Sequence, residues 1–334
     1  MPPPRHEVVG REGELAALRG LLDRIEELPA ALVLEGEAGA GKTTLLDEAA
    51  RLASDRGYRL LRCAPTPSER ELTFAGLRDL LEPILEEVRA ALPEPQARAL
   101  DSVMVRSGAP RLDPGAVARA FLEGLRALAA ERPLLLAIDD APWLDAETLR
   151  VVAYSLRRLP PARVATVLAQ RTGGGERLSS LIGALPERLR RLRVGPLSLG
   201  ALHLLLLGRT GTSLARPTLR WIHGTSRGNP LRALEIARAL PFPAPIIGPG
   251  GAASIPPSLR TLLGERLAAL TEGTREVLAT AAEMGRPTMA ALAAALGRPV
   301  DAEIDEAERA SIVALEGDRV TFSHPLLAAA ASEH

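Results

Sequence analysis

The segment Gly36-Glu37-Ala38-Gly39-Ala40-Gly41-Lys42-Thr43 fits G-x-x-x-x-G-K-[ST], the pattern of a loop that wraps phosphate groups. Gly36, Gly39 and Gly41 permit the backbone path and the close approach to a ligand. Backbone N–H groups from about Ala38 to Thr43, with Thr44 next in line, cradle anionic oxygens. Lys42 neutralises β- and γ-phosphate charge, and the Thr43 hydroxyl is placed to ligate Mg²⁺. Lys42 is also the only lysine: of 41 Lys plus Arg residues, 41 − 1 = 40 are arginine. A compact ammonium slides between phosphate oxygens, while a planar guanidinium is too wide for the cradle. The competing reading, a chance match in a Gly- and Ala-rich chain, is weakened by the strand and helix patterns on either side.

A second element is Leu134-Leu135-Leu136-Ala137-Ile138-Asp139-Asp140, an apolar strand ending in two acids. Asp139 suits a Mg²⁺ ion, through water, and Asp140 suits polarising an attacking water. Adjacent acids before Ala141-Pro142 also fit a solvated turn or a helix cap. Arg171 follows the apolar run Arg163 to Ala169, and ligands of parallel sheets sit at the carboxyl ends of strands. It is a candidate reader of a γ-phosphate, with an ordinary surface charge as the alternative. The run Arg188, Arg190, Arg191, Arg193 reads as a solvated face. Trp143 and Trp221 read as packing anchors, and Cys63 as a buried strand residue.

These residues need a scaffold. Buried-strand patterns occur at Ala31–Leu34, Tyr58–Cys63, Leu134–Ile138 and Arg163–Ala169, with a weaker one at Leu192–Val194. Helical spacing alternates with them at Leu15–Leu28, Thr43–Leu52, Phe74–Val88, Gly115–Ala130 and Ala146–Leu159. Such alternation predicts an α/β fold with a parallel sheet covered on both faces. Residues from about 66 to 114 read as a helical insertion. The acid pair points to the additional-strand class of P-loop NTPase sheets, in which a strand lies between the two motif strands.

After Pro196 the pattern changes. Leu197–Leu207 and Leu219–Leu240 each read as one helix, an all-α lid. Pro241–Pro257 is a Pro/Gly-rich linker. Ser258–Leu296 is helical again, and Ile312–Leu315, Gly317-Asp318, Arg319–Phe322 reads as a hairpin, together a winged-helix domain. The expected division is a nucleotide-binding domain over 1–196, a lid over 197–240, a linker over 241–257 and a winged helix over 258–334.

Bulk properties exclude several classes. The chain has 334 residues, 46% apolar and 2% aromatic, so its core must be built from Leu, Ala, Val and Ile. With 41 acidic and 41 basic residues there is no overall electrostatic footprint for nucleic acid or an anionic membrane. One cysteine, Cys63, precludes an intrachain disulfide and fits a reducing cytoplasm. His6, His203, His223, His324 and His334 are scattered, which argues against zinc. No apolar run reaches the roughly 20 residues of a membrane helix, and Met1–His6 is not a signal peptide.

The ordered set resembles a known family. It comprises Val9-Gly10-Arg11-Glu12-x-Glu14-Leu15, the glycine loop, and Glu71-Leu72-x-Phe74-Ala75-Gly76-Leu77. It continues with Asp139-Asp140-Ala141-x-Trp143-Leu144-Asp145, Arg171, Gly228-Asn229-Pro230-Leu231 and Phe322-Ser323-His324-Pro325-Leu326. Together these resemble the ATPase part of large ATP-binding LuxR-type transcriptional regulators. That group belongs to the signal-transduction ATPases with numerous domains, is related to MalT, and is more distantly related to AAA+ proteins. The resemblance implies that Val9, Gly10 and Arg11 lie near adenine and ribose. It also implies that Pro230 packs on the base and that His324 senses ADP from the winged helix, against a competing role as a capping or packing histidine. It further implies a cytoplasmic switch. ADP holds the lid closed, and an unknown inducer plus ATP opens it for self-association, with slow hydrolysis at most. Such regulators continue into a helical-repeat sensor and a C-terminal helix-turn-helix. Neither is among these residues, so DNA binding is expected only through a segment outside them. The alternative is an AAA+-like ATPase acting on DNA or protein.

Overall fold

The computed structural model describes residues 8–23, 30–104, 113–159, 163–173, 178, 181, 183, 189–240, 264, 267–285, 287–310, 312–322 and 325–332. The chain divides into two compact units, Arg11–Gly195 and Met1–Gly10 with Pro196–His334.

The first unit is built on five strands, β1 (Ala30–Gly36), β2 (Arg59–Cys63), β3 (Leu134–Ile138), β4 (Val164–Arg171) and β5 (Leu189–Arg193). Their order is β2-β3-β4-β1-β5, and every pairing is parallel. β4 therefore separates β1, which leads into the glycine loop, from β3, which ends at the acid pair. All five residues of β3 are buried, as expected of a strand covered on both faces. Helices α1 (Glu12–Asp23), α2 (Lys42–Asp55), α6 (Pro114–Glu131) and α7 (Ala146–Arg158) alternate with the strands. Sequence signals set their ends. Asp113 caps α6 by accepting from the Gly115 N–H, with Pro114 in the first turn, and Asp145 caps α7 at the Thr148 N–H. The core is aliphatic, with Phe74 and Phe121 its largest fully buried side chains.

The insertion after β2 holds α3 (Ala75–Leu81), α4 (Leu85–Ala91) and α5 (Glu94–Met104). The single helix expected over Phe74–Val88 is thus two helices. A 3₁₀ turn at Glu82–Ile84 separates them, because Pro83 cannot sit inside a continuous α-helix.

The second unit opens with α8 (Leu199–Thr210), α9 (Arg216–Ser226) and α10 (Pro230–Ala239). The single helix expected over Leu219–Leu240 is also broken. Arg227 and Gly228 adopt φ of 52° and 72°, and Asn229 restarts the helix by accepting from the Arg232 N–H. Gly228 is irreplaceable on space as well as on φ, since a Cβ there would lie 2.6 Å from the Leu197 carbonyl oxygen. Among the described residues there follow α11 (Glu272–Met284), α12 (Met289–Leu296) and α13 (Asp301–Arg309). The antiparallel pair β6 (Val313–Glu316) and β7 (Arg319–Phe322) precedes α14 (Pro325–Ser332). Gly317, at φ 71°, makes the hairpin turn. The linker read at Pro241–Pro257, together with His324 and Arg188, lies outside the described residues. Among the described residues no helix is long and apolar enough to cross a membrane.

Candidate functional site

The strand register gathers the chemistry-bearing residues on one rim of the first unit's sheet. Gly36, the last residue of β1, pairs with Arg171, the last residue of β4. Ile138 closes β3 opposite Leu168 of β4, so Asp139 and Asp140 emerge beside them. The glycine loop, the acid pair and Arg171 thus share the carboxyl ends of neighbouring strands, the usual ligand edge of a parallel sheet.

The loop is shaped by its glycines. Gly39 and Gly41 adopt φ of 75° and 98°. At Gly36 the constraint is space, because a Cβ would lie 2.6 Å from the Val194 carbonyl oxygen. Gly41 caps α2 without any side-chain hydrogen bond, and the first turn carries no acid. The first helical rung is the Leu45 N–H donating to Gly41 O at 3.1 Å. The N–H groups of Lys42, Thr43 and Thr44 precede that rung and, together with the positive end of the helix dipole, form a ready anion site. Thr43 and Thr44 are exposed.

Lys42 is 7% exposed. Its Nζ donates to Gly36 O at 3.0 Å and to Glu37 O at 2.8 Å, folding the ammonium across the loop. Burial pushes its pKa below the ordinary lysine value. Asp140 opposes that shift, Arg171 adds to it, and Asp139 and Glu37 oppose it in turn. A buried cation whose charge is incompletely solvated suits an anionic ligand.

The acid pair is held by backbone geometry. The Asp139 N–H donates to Cys63 O at 3.0 Å, and the Asp139 carboxylate, nearly buried, accepts from the Asp140 N–H at 2.9 Å. Asp140 sits at φ 38°, ψ 47°, a left-handed conformation that Asp tolerates better than most residues. The chain then runs through a 3₁₀ turn, Ala141–Trp143, to Leu144 and Asp145. Thr43 and Asp139 carry a hydroxyl and a carboxylate, the kinds of oxygen that can ligate Mg²⁺ when phosphates and water complete its shell. Among the described residues there is no larger cluster of His, Cys, Asp and Glu suited to a metal.

Arg11 is 5% exposed and braces the loop. Its Nη2 donates to Ala40 O at 2.8 Å and to Gly195 O at 2.7 Å, and its Nη1 pairs with Glu14 at 2.9 Å. Val9, Gly10 and Pro230 belong to the other unit, where Pro230 opens α10. Cys63 is buried, as expected, and burial raises its thiol pKa, leaving it protonated.

Sequence reasoning did not single out Asp145 or Thr148 as participants. Asp145 had a local signal, an acid just before a helical pattern. Its partners Phe74 and Gly76, about seventy residues earlier in the chain, stand in the motif set of the family resemblance, but nothing in the sequence pairs them with Asp145. Gln170 was missed too. It is buried beside Glu35, to which its Nε2 donates, and Arg191 pairs with the same carboxylate at 3.0 Å.

Residues 7–168 match the family model described as the AAA ATPase domain, slightly less than half of the chain. A Walker-type ATPase of Pyrococcus abyssi superposes with a TM-score of 0.56 at 15% identity, covering 98% of this chain and 97% of that one. At that identity the likeness concerns the fold alone. The Orc1 protein of Aeropyrum pernix, solved in complex with DNA, gives 0.49 at 17% identity, covering 99% of this chain and 95% of its own. A signal-transduction ATPase with a tetratricopeptide-repeat sensor from Pyrococcus horikoshii gives 0.46 at 14% identity, covering 99% of this chain and 43% of its own. These last two likenesses are too loose to carry an argument. No curated protein matches the sequence. The glycine loop, the parallel five-stranded sheet and the family match together describe an AAA-like P-loop ATPase domain.

Proposed function

We propose that this chain is an ATP/ADP-binding conformational switch of the kind found in LuxR-type transcriptional regulators, with slow hydrolysis at most. The observation that carries the nucleotide part is the uncapped, acid-free start of α2, with the buried Lys42 ammonium beside it and Asp139–Asp140 on the same rim. The strand order, with β4 between the two motif strands, supports the additional-strand class. The strand-free run α8–α10 supports a lid, and α11–α13 with the β6–β7 hairpin supports a winged helix. The division at 196, 240 and 257 is part of the same reading.

In this reading the N–H groups from Ala38 to Thr44 hold the phosphates, and Lys42 exchanges its two carbonyl partners for phosphate oxygens. Thr43 and Asp139 hold Mg²⁺, which would supply charge neutralisation across the β- and γ-phosphates. Asp140 orients and polarises water, and Arg171 reads the γ-phosphate. Arg11 also holds the loop through Ala40 O, and Val9, Gly10, Arg11, Pro230 and His324 are assigned to the adenosine side by the family resemblance. Self-association in the ATP state and an inducer belong to the same proposal.

A second reading, an ATPase working on DNA or protein, is favoured by the same AAA-like match. Two measurements decide. Mass spectrometry of nucleotide released from purified protein should find ADP or ATP, and turnover should be slow and indifferent to added DNA. Fast, DNA-stimulated hydrolysis would establish the second reading. Absence of ATP and ADP binding by calorimetry would defeat both.

A further inference from the structure

Asp145 is 3% exposed, and its carboxylate serves four donors. Oδ1 accepts from the Phe74 N–H at 2.9 Å and from the Thr148 N–H at 2.9 Å. Oδ2 accepts from the Gly76 N–H at 3.2 Å and from the Thr148 hydroxyl at 2.6 Å. Thr148, fully buried, in turn accepts from the Leu77 N–H at 2.9 Å. One carboxylate and one hydroxyl therefore tie three backbone amides of the insertion to the first turn of α7.

An N-cap alone does not need this. Capping satisfies helix donors, whereas Phe74, Gly76 and Leu77 lie about seventy residues away. Their backbone is committed to the contact. Phe74 is buried at φ 60°, and a Cβ at Gly76 would come within 2.6 Å of Leu144. The chain between the acid pair and Asp145 is stiff. The Trp143 N–H donates to Asp140 O at 2.9 Å and the Leu144 N–H to Ala141 O at 3.1 Å. At the near end of that stiff segment Asp140 holds a left-handed backbone whose N–H orients the Asp139 carboxylate. Such a conformation persists only when its surroundings over-determine it.

We propose that Asp145 and Thr148 are positioning residues for the acid pair: by pinning the far end of the Asp140–Asp145 segment to Phe74–Leu77, they fix the backbone turn that aims Asp139 and Asp140. This rests on the reading of Asp139 as a Mg²⁺ ligand, and it is separable from it by experiment. Equilibrium ATP affinity is measured with Mg²⁺ and with EDTA for the wild type, Asp145→Asn, Thr148→Val and Thr148→Ser. Thr148→Val keeps side-chain shape and guards against a misfolded Asp145 variant. Expected is unchanged affinity in EDTA with the Mg²⁺ enhancement reduced about tenfold in Asp145→Asn and Thr148→Val, and restored in Thr148→Ser. A loss of general packing would lower both affinities together, and that result overturns the proposal. So does a Mg²⁺ enhancement equal to wild type in both variants. If the wild type binds ATP with no Mg²⁺ enhancement at all, the assignment of Asp139 fails and the proposal falls with it. Where turnover is measurable, Asp145→Asn added to Asp140→Asn should lower kcat no further, and additive losses count against it.

Discussion

Replacing Lys42 tests the site most directly, because its ammonium is enclosed and its partners are known. The wild-type ammonium rests on Gly36 O and Glu37 O at 3.0 and 2.8 Å, so phosphate binding exchanges two neutral acceptors for anionic ones. One unit charge facing another at about 4 Å, at an effective dielectric near 20, is worth about 4 kcal/mol. Giving up the two carbonyl bonds offsets about 1–2 kcal/mol of that, leaving about 2–3 kcal/mol, or roughly 30- to 150-fold in Kd. Lys42→Ala should lose that much affinity for both ATP and ADP by titration calorimetry while remaining folded. Lys42→Arg keeps the charge but places a wider planar group in a site only 7% exposed. Overpacking of about 1–2 kcal/mol then predicts a smaller, clear loss of roughly 5- to 30-fold. Wild-type affinity in a folded Lys42→Ala would refute the assignment of the loop. Full affinity in Lys42→Arg would show that the lone lysine is accidental.

Asp140→Asn should retain ATP binding and lower single-turnover hydrolysis by about a hundredfold, and undiminished hydrolysis would remove Asp140 from the chemistry. Arg171→Ala should weaken ATP roughly threefold to tenfold and ADP less, since an exposed charge is worth about 1 kcal/mol; equal losses would count against a γ-phosphate role. Gly36→Ala should lower stability by about 1–3 kcal/mol in urea unfolding, because its Cβ would sit 2.6 Å from a backbone oxygen. A change under about 0.5 kcal/mol would mean that the β1–β5 contact yields freely. Lys42 has a depressed pKa, so between that value and 10.5 the unfolded chain binds more protons and stability rises with pH. Phosphate raises the pKa again, so nucleotide binding in that window should take up protons, read by calorimetry in buffers of different ionisation heat. Proton release there would contradict the placement of Lys42.

What the sequence made legible followed from local physics. β3 falls on the five residues its unbroken apolar run marks, because a strand buried on both faces leaves no ambiguity of period. Of β5 only Leu192–Val194 is legible, since a strand with three arginines in five residues carries little apolar signal. The two helix breaks had signals, Pro83 and Gly228-Asn229-Pro230, that apolar periodicity overrode. The acid pair and loop were readable by type and spacing. The bonds of Asp145 to Phe74 and of Arg11 to Gly195 join residues some seventy and over a hundred and eighty positions apart, which tertiary structure alone brings together.

The arginines of β5 have a consequence for how copies of this chain meet. Among the described strands β5 forms one edge of the sheet, with its backbone bonded to β1 on one side. An open edge is a template for another strand, and runaway pairing of such edges leads to aggregates. Arg190, Arg191 and Arg193 are exposed along it. Two such edges brought together would oppose like charges along their length, so the strand guards itself by repulsion. Trimming these arginines should therefore cost colloidal solubility before it touches nucleotide binding.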